Sequence, residues 1–221
     1  MHRRAPLLID LSHDIFDGLR TYPGLPPPVV GAHRGHSDPQ PGYAAGTTFH
    51  IGRIEMVSNT GTYLDTPFHR YPGREDLAAL QLESVAALPG VVIRSRAQVL
   101  RPADLPADDL RRHAVLFDTG WSRHWNTPQY FSDHPFLVEA TARALVERGA
   151  ALVGIDSLNV DDSSDGERPV HTVLLEAGIP IVEHLTNLGT LPERGFRFFA
   201  VPVKVRGMGT FPVRAFAEVQ P

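Results

Sequence analysis

Asp65 and His69 stand four residues apart in the stretch 58–69, SNTGTYLDTPFH, a hard oxygen ligand and an imidazole held close together. That pair suits a divalent metal and a general base. Gly61 permits a tight or left-handed backbone there, and Pro67 stiffens the chain just before His69. The run 48–57 ahead of it is strand-like, so the pair is expected where a scaffold strand ends, a place from which a rigid element aims a short loop. By residue type alone, the two serve equally as a turn aspartate and a hydrogen-bonded core histidine.

The elements that must position them belong to a chain of 221 residues, the size of one domain with a substantial core. Formal net charge is -4 with no basic tract, which gives nucleic-acid binding no support. No apolar run approaches the roughly 20 residues of a membrane span. The opening MHRRAPLLID does not read as a signal peptide, because its apolar run stops at Asp10. A cytoplasmic protein is expected. With no cysteine in the chain, a metal must be held by His, Asp, Glu, Asn or Tyr.

Residues 7–11 read as a short buried strand, and 18–46, dense in Pro and Gly, as a long loop over the core. Short helical turns are expected at 76–80 and 105–110. The apolar runs 91–93, 115–117 and 152–155 read as buried strands. Helical spacing of Leu137, Ala140, Ala144 and Leu145 predicts a helix over 136–148, stopped by Gly149. Trp121, Trp125 and Tyr130 form an aromatic group that lines a pocket or packs internally. The acidic loop 159–169 reads as solvated. It leads to a short helix opening at His171, a strand ending in Glu183, a long strand over 196–205 and a Gly-rich turn with an edge strand at 207–215. Strands alternating with helices predict an α/β architecture. Neither a dinucleotide-binding glycine motif nor a G-x-S-x-G elbow is present.

The stretch 58–69 resembles the H-x-G-T-H-x-D-x-P-x-H pattern of the metal-dependent cyclase family. Gly61, Thr62, Asp65, Pro67 and His69 match it, whereas Asn59 and Tyr63 stand where the pattern has its two metal-binding histidines. The segments Ile9-Asp10-Leu11-Ser12, Tyr22-Pro23-Gly24, Asp118-Thr119-Gly120-Trp121 and Pro212-Val213-Arg214-Ala215 resemble the family as well. So does the arrangement of His171 opening a short helix and Glu183 ending the next strand. The resemblance implies the swivelling β/β/α fold as a single domain over 1–221, a homodimer or homotetramer, and Tyr22 as a substrate contact.

It also implies a pair of divalent ions, usually zinc, or one manganese. Asp65, His171 and Glu183 carry over as ligands of one zinc or manganese ion. A second ion is not expected: Asn59 offers a weak amide oxygen, and Tyr63 a phenol that binds well only after losing a proton of pKa about 10. Three protein ligands and an open position describe a catalytic zinc site. His69 is then the catalytic proton shuttle. Asn59 and Tyr63 are expected to donate to an oxyanion in place of the missing charge; that assignment goes beyond the resemblance. The function implied is a metal-dependent amidohydrolase acting on a small formamide or cyclic amide, like the arylformamidase of tryptophan catabolism. The alternatives are a non-catalytic or repurposed small-molecule-binding protein of the same fold, and a single-metal lactone or ester hydrolase.

Overall fold

The computed structural model describes residues 5–220; the reading of the chain's opening lies outside them as far as it concerns residues 1–4. In chain order the strands are β1 (Leu7–Asp10), β2 (Val29–Arg34), β3 (Ile51–Glu55), β4 (Tyr63–Asp65), β5 (Leu88–Arg94), β6 (Val99–Leu100), β7 (Ala114–Asp118), β8 (Phe136–Leu137), β9 (Leu152–Ile155), β10 (Ile181–Glu183), β11 (Phe196–Phe199), β12 (Thr210–Pro212) and β13 (Phe216–Val219). The helices are α1 (Glu139–Glu147) and α2 (Pro169–Glu176).

Nine strands form one sheet in the order β1-β13-β11-β5-β7-β9-β10-β4-β12. The middle four, β5 to β10, are parallel, and both flanks are antiparallel. The apolar runs at 91–93, 115–117 and 152–155 supply the centre because both of their faces are covered. Val91, Val115 and Val153 pack with Leu145 of α1 and with Val170 and Leu174 of α2. Val92, Leu116 and Leu152 join Leu64, Val182, Phe198 and Ala217 on the opposite face. The α/β architecture follows from these two apolar layers. No helix of the described residues is long and apolar enough to cross a membrane.

Several element expectations are corrected. Residues 18–46 are not all loop: β2 pairs with β3 as a separate two-stranded ribbon. Val29, Val30, Ile51 and Ile54 are exposed on it. The strand run 48–57 is therefore not the one that aims the site; β4, three residues long and wholly buried, does that. Strand β1 lies at the sheet edge, with Leu7 and Leu8 exposed. The expected helix begins at Glu139, because Phe136 and Leu137 pair with Val99 and Leu100 instead. The helical turn expected at 76–80 does form, with the Ala79 and Leu80 amides donating to the Asp76 carbonyl, whereas the one expected at 105–110 is a 3-10 turn at Pro102–Asp104 instead. Strand β11 stops at Phe199, and Val201 and Val203 beyond it face solvent.

Candidate metal centre

Strand β4 lies between β10 and β12, with Asp65 opposite Ile181 and Thr210, and Tyr63 opposite Glu183 and Pro212. Side chains alternate across a strand, so Tyr63 and Asp65 share one face with Glu183 and Thr210. Leu64, Val182 and Phe211 point into the core on the other. Thr62 ties the entry to β4 down: its hydroxyl donates to the carbonyl of His184 (2.6 Å) and accepts from the amide of His13 (3.0 Å). Gly61, at φ 68°, makes the left-handed bend that the sequence allowed for.

His171 arrives from α2. Its Nε2 lies 3.7 Å from Asp65 Oδ2 and 3.8 Å from Glu183 Oε1, so three side chains from distant parts of the chain meet. What holds the ring is Asp161, fully buried although the acidic loop around it read as solvated. Asp161 accepts from the backbone amides of Val170 (2.6 Å) and His171 (3.1 Å) and pairs with His171 Nδ1 at 2.6 Å. One carboxylate thus caps the helix start and orients its histidine. Burial opposes a charged His171, but Asp161, Asp65 and Glu183 outweigh it and push its pKa up to about 10. Burial, reinforced by Asp65, pushes Glu183 up to about 7 against the pull of His171, Tyr63 and the Val160 amide. Three buried carboxylates, Asp65, Asp161 and Glu183, thus surround the buried imidazole of His171, with the more exposed His69 beside them.

These residues fit a divalent cation. Asp65 is fully buried, and its Oδ2 has no hydrogen-bond partner. An orphaned carboxylate oxygen that costs this much desolvation is what a cation would satisfy. Asp65, His69 and His171 each offer a ligand atom, all within 4.8 Å of one another. His69 therefore stands close enough to share an ion as well as to move a proton. Glu183 is more committed: Oε2 accepts from Tyr63 Oη at 2.7 Å and Oε1 from the Val160 amide at 2.8 Å.

That pairing corrects the expectation for Tyr63. Burial, then Glu183 and Asp65, hold its phenol well above the ordinary range. It stays protonated, and its single proton goes to Glu183 rather than to an oxyanion. Asn59 remains open to the cavity, with its Oδ1 accepting from Ser58 Oγ (3.2 Å). The cavity is about 510 Å³ and is lined by Tyr22, Leu25, Asn59, His69, Arg168 and His171 among others. Tyr22 forms part of its wall, and its hydroxyl accepts from Arg168 at 3.1 Å.

Trp121, Trp125 and Tyr130 do not line this cavity. Trp121 Nε1 donates to the Tyr130 carbonyl (3.1 Å), and Trp125 stacks on His13 with ring centroids 4.1 Å apart. Asp161 and Thr210 are site residues that sequence reading missed. A carboxylate ten residues before a ligand-type histidine was a signal for Asp161, since metal-binding histidines lean on such partners. Three further acids in the same loop, Asp162, Asp165 and Glu167, masked it.

Comparison with known proteins identifies the chain's relatives. The family model described as "Putative cyclase" matches residues 9–162, more than half of the chain. A kynurenine formamidase of Salinibacter ruber is 29% identical over 178 residues, 79% of this chain and 82% of the relative. One from Bacillus cytotoxicus is 26% identical over 213 residues, 96% and 97% of the two chains. Among solved structures, isatin hydrolase A from Ralstonia solanacearum superposes with a TM-score of 0.83 at 24% identity, covering 97% of this chain and 92% of that one. A predicted metal-dependent hydrolase from Bacillus stearothermophilus gives a TM-score of 0.77 at 26% identity, covering 97% and 99%. With the family model matched over residues 9–162 and the fold in common, this chain belongs to the cyclase family.

Proposed function

We propose that the protein is a metal-dependent hydrolase of a small formamide or cyclic amide, working with one divalent ion. The observation that carries this is that Asp65, His69 and His171 offer ligand atoms within 4.8 Å of one another, with Asp65 Oδ2 unpartnered and both histidines lining the cavity. Asp65 and His171 hold the ion, with Glu183 beside them. When bound, such an ion polarises a carbonyl and brings the pKa of water down to roughly 7. Asp161 keeps the His171 ring turned so that Nε2 faces Asp65. His69, the one partly exposed member, takes a proton from the attacking water and returns it to the leaving nitrogen. The Asn59 amide donates to the oxyanion as the carbonyl becomes tetrahedral. Tyr63 restrains Glu183. Tyr22, Pro23 and Leu25 supply apolar surface to the cavity, suited to an aryl ring. The exposed apolar side chains of the β2–β3 ribbon support the homodimer or homotetramer that belongs to this reading. Sedimentation of the purified protein checks it.

His69→Ala tests the reading directly. Hydrolysis of formanilide or isatin is expected to fall by about 10²–10⁴-fold, the range of a lost general base, while metal per chain stays close to wild type. If the variant loses the ion, His69 is a ligand and another group must carry the proton.

One observation favours a second reading, a repurposed binding protein: Tyr63, in a metal-histidine position of the family pattern, is bonded to Glu183 at 2.7 Å. The double change Asn59→His and Tyr63→His separates the two. In a working one-ion site it removes the Asn59 donor and lowers turnover by about 10²–10³-fold. If these positions are decayed ligands, the change raises metal stoichiometry toward two and brings activity up.

A further inference from the structure

The Gly-rich turn and edge strand at 207–215 have no assigned part in this chemistry, yet Thr210 is buried between Asp65 and His69. The register of β12 puts Thr210 directly opposite Asp65. Its Oγ1 bonds to Asp65 Oδ1 and lies 2.8 Å from His69 Nδ1. Gly209 makes this approach possible. Its carbonyl accepts from the Thr66 amide (2.7 Å), and a Cβ at Gly209 would come within 2.6 Å of His69 Cα. The strand is therefore pressed against the backbone of His69 itself.

A threonine hydroxyl has one proton to donate and lone pairs to accept with, whereas an ionised carboxylate only accepts. Charge-assisted bonds are the stronger ones, so the Thr210 proton goes to Asp65. The hydroxyl can then only accept from His69, and Nδ1 must carry a hydrogen. Turning the hydroxyl the other way would set its lone pairs against those of Asp65 Oδ1 in a buried, desolvated place. We infer that Thr210 is a positioning residue that fixes His69 in the Nδ1–H tautomer, so that Nε2 presents its lone pair to the cavity. The same bond occupies Asp65 Oδ1 and leaves Oδ2 as the oxygen facing His171. This inference rests on the proposed hydrolase for its kinetic consequence only; the tautomer itself does not depend on any activity.

Thr210→Val keeps the shape and removes the hydroxyl, and Thr210→Ser restores the hydroxyl alone. In protein labelled with ¹⁵N-histidine, with His69 assigned by its loss in His69→Ala, wild type and Thr210→Ser should show a pyrrole-like Nδ1 and a pyridine-like Nε2. Thr210→Val should show that signature mixed or reversed. With formanilide, Thr210→Val should lose about 10²-fold in kcat with KM within about twofold of wild type, and Thr210→Ser should recover most of it. A hydrogen on Nε2 of wild-type His69, or an unchanged His69 signature in Thr210→Val, overturns the inference. Absence of amide turnover in wild type would count against the hydrolase and leave the nitrogen spectra to decide the role of Thr210.

Discussion

Asp65→Asn is expected to strip the metal and the activity together while the fold survives. Asp65 is fully buried, and its free Oδ2 faces His171 Nε2 at 3.7 Å. The amide that replaces it has the same shape but no negative charge, and with its oxygen held by the Thr210 hydroxyl it presents an N–H donor where a cation needs an acceptor. Metal per chain should drop from about one to near zero, and turnover by at least about 10³-fold, the scale of lost electrostatic stabilisation. The metal-free variant should melt lower than metal-free wild type at neutral pH, because folding favours the ionised Asp65 beside a protonated His171 and the change removes one partner of that buried pair. Elemental analysis, a formamide assay and a melting curve read all three. A variant that keeps its ion would remove Asp65 from the ligand set.

Chelation of wild type is expected to lower its melting temperature, and more so as pH rises. A ligand at about 1,000 times its Kd stabilises the folded state by about 4 kcal/mol, which for a chain of this size shifts Tm by about 10 °C. In the metal-free protein a proton on His171 takes the place of the cation, which is why its pKa is raised to about 10 despite burial. A folded pKa above the ordinary 6.5 contributes stability fully present below pH 6.5 and lost as pH rises through about 10. Glu183, raised to about 7 chiefly by burial, acts in the same direction between pH 4.5 and about 7. Metal-free protein should therefore lose Tm steadily between pH 6.5 and 10, whereas loaded protein, with the proton replaced, should change less. Calorimetry with and without zinc at pH 6 and 9 checks this. Equal melting temperatures at pH 9 would mean that no ion binds.

Asp65 and His69 are legible as a pair because they share a turn with Gly61 and Pro67, whereas His171 and Glu183 stand out through the resemblance to the cyclase family. The central strands are legible because their apolar runs are buried on both faces. Thr210 and Asp161 stayed hidden for a different reason. Thr210 is 145 residues from Asp65 and reaches it only through strand register, which no local spacing encodes. Asp161 looked like its exposed neighbours until the helix start folded onto it. The ribbon of β2 and β3 was lost in a run rich in Pro and Gly, and β11 was drawn too long because Val201 and Val203 continue its apolar composition.

Strand β4 divides its labour by parity. Leu64 faces the core and is wholly buried, while Tyr63 and Asp65 face the chemistry. A change at either odd position alters which cation, proton or ligand the cavity favours without disturbing the layer of side chains on which folding depends. A lineage built on such a strand can exchange a histidine for a tyrosine in one step and remain a folded protein. Mutational scanning should then find position 64 intolerant of polar residues for abundance, position 59 permissive, and position 63 tolerant only of side chains that fill its buried place and pair with Glu183.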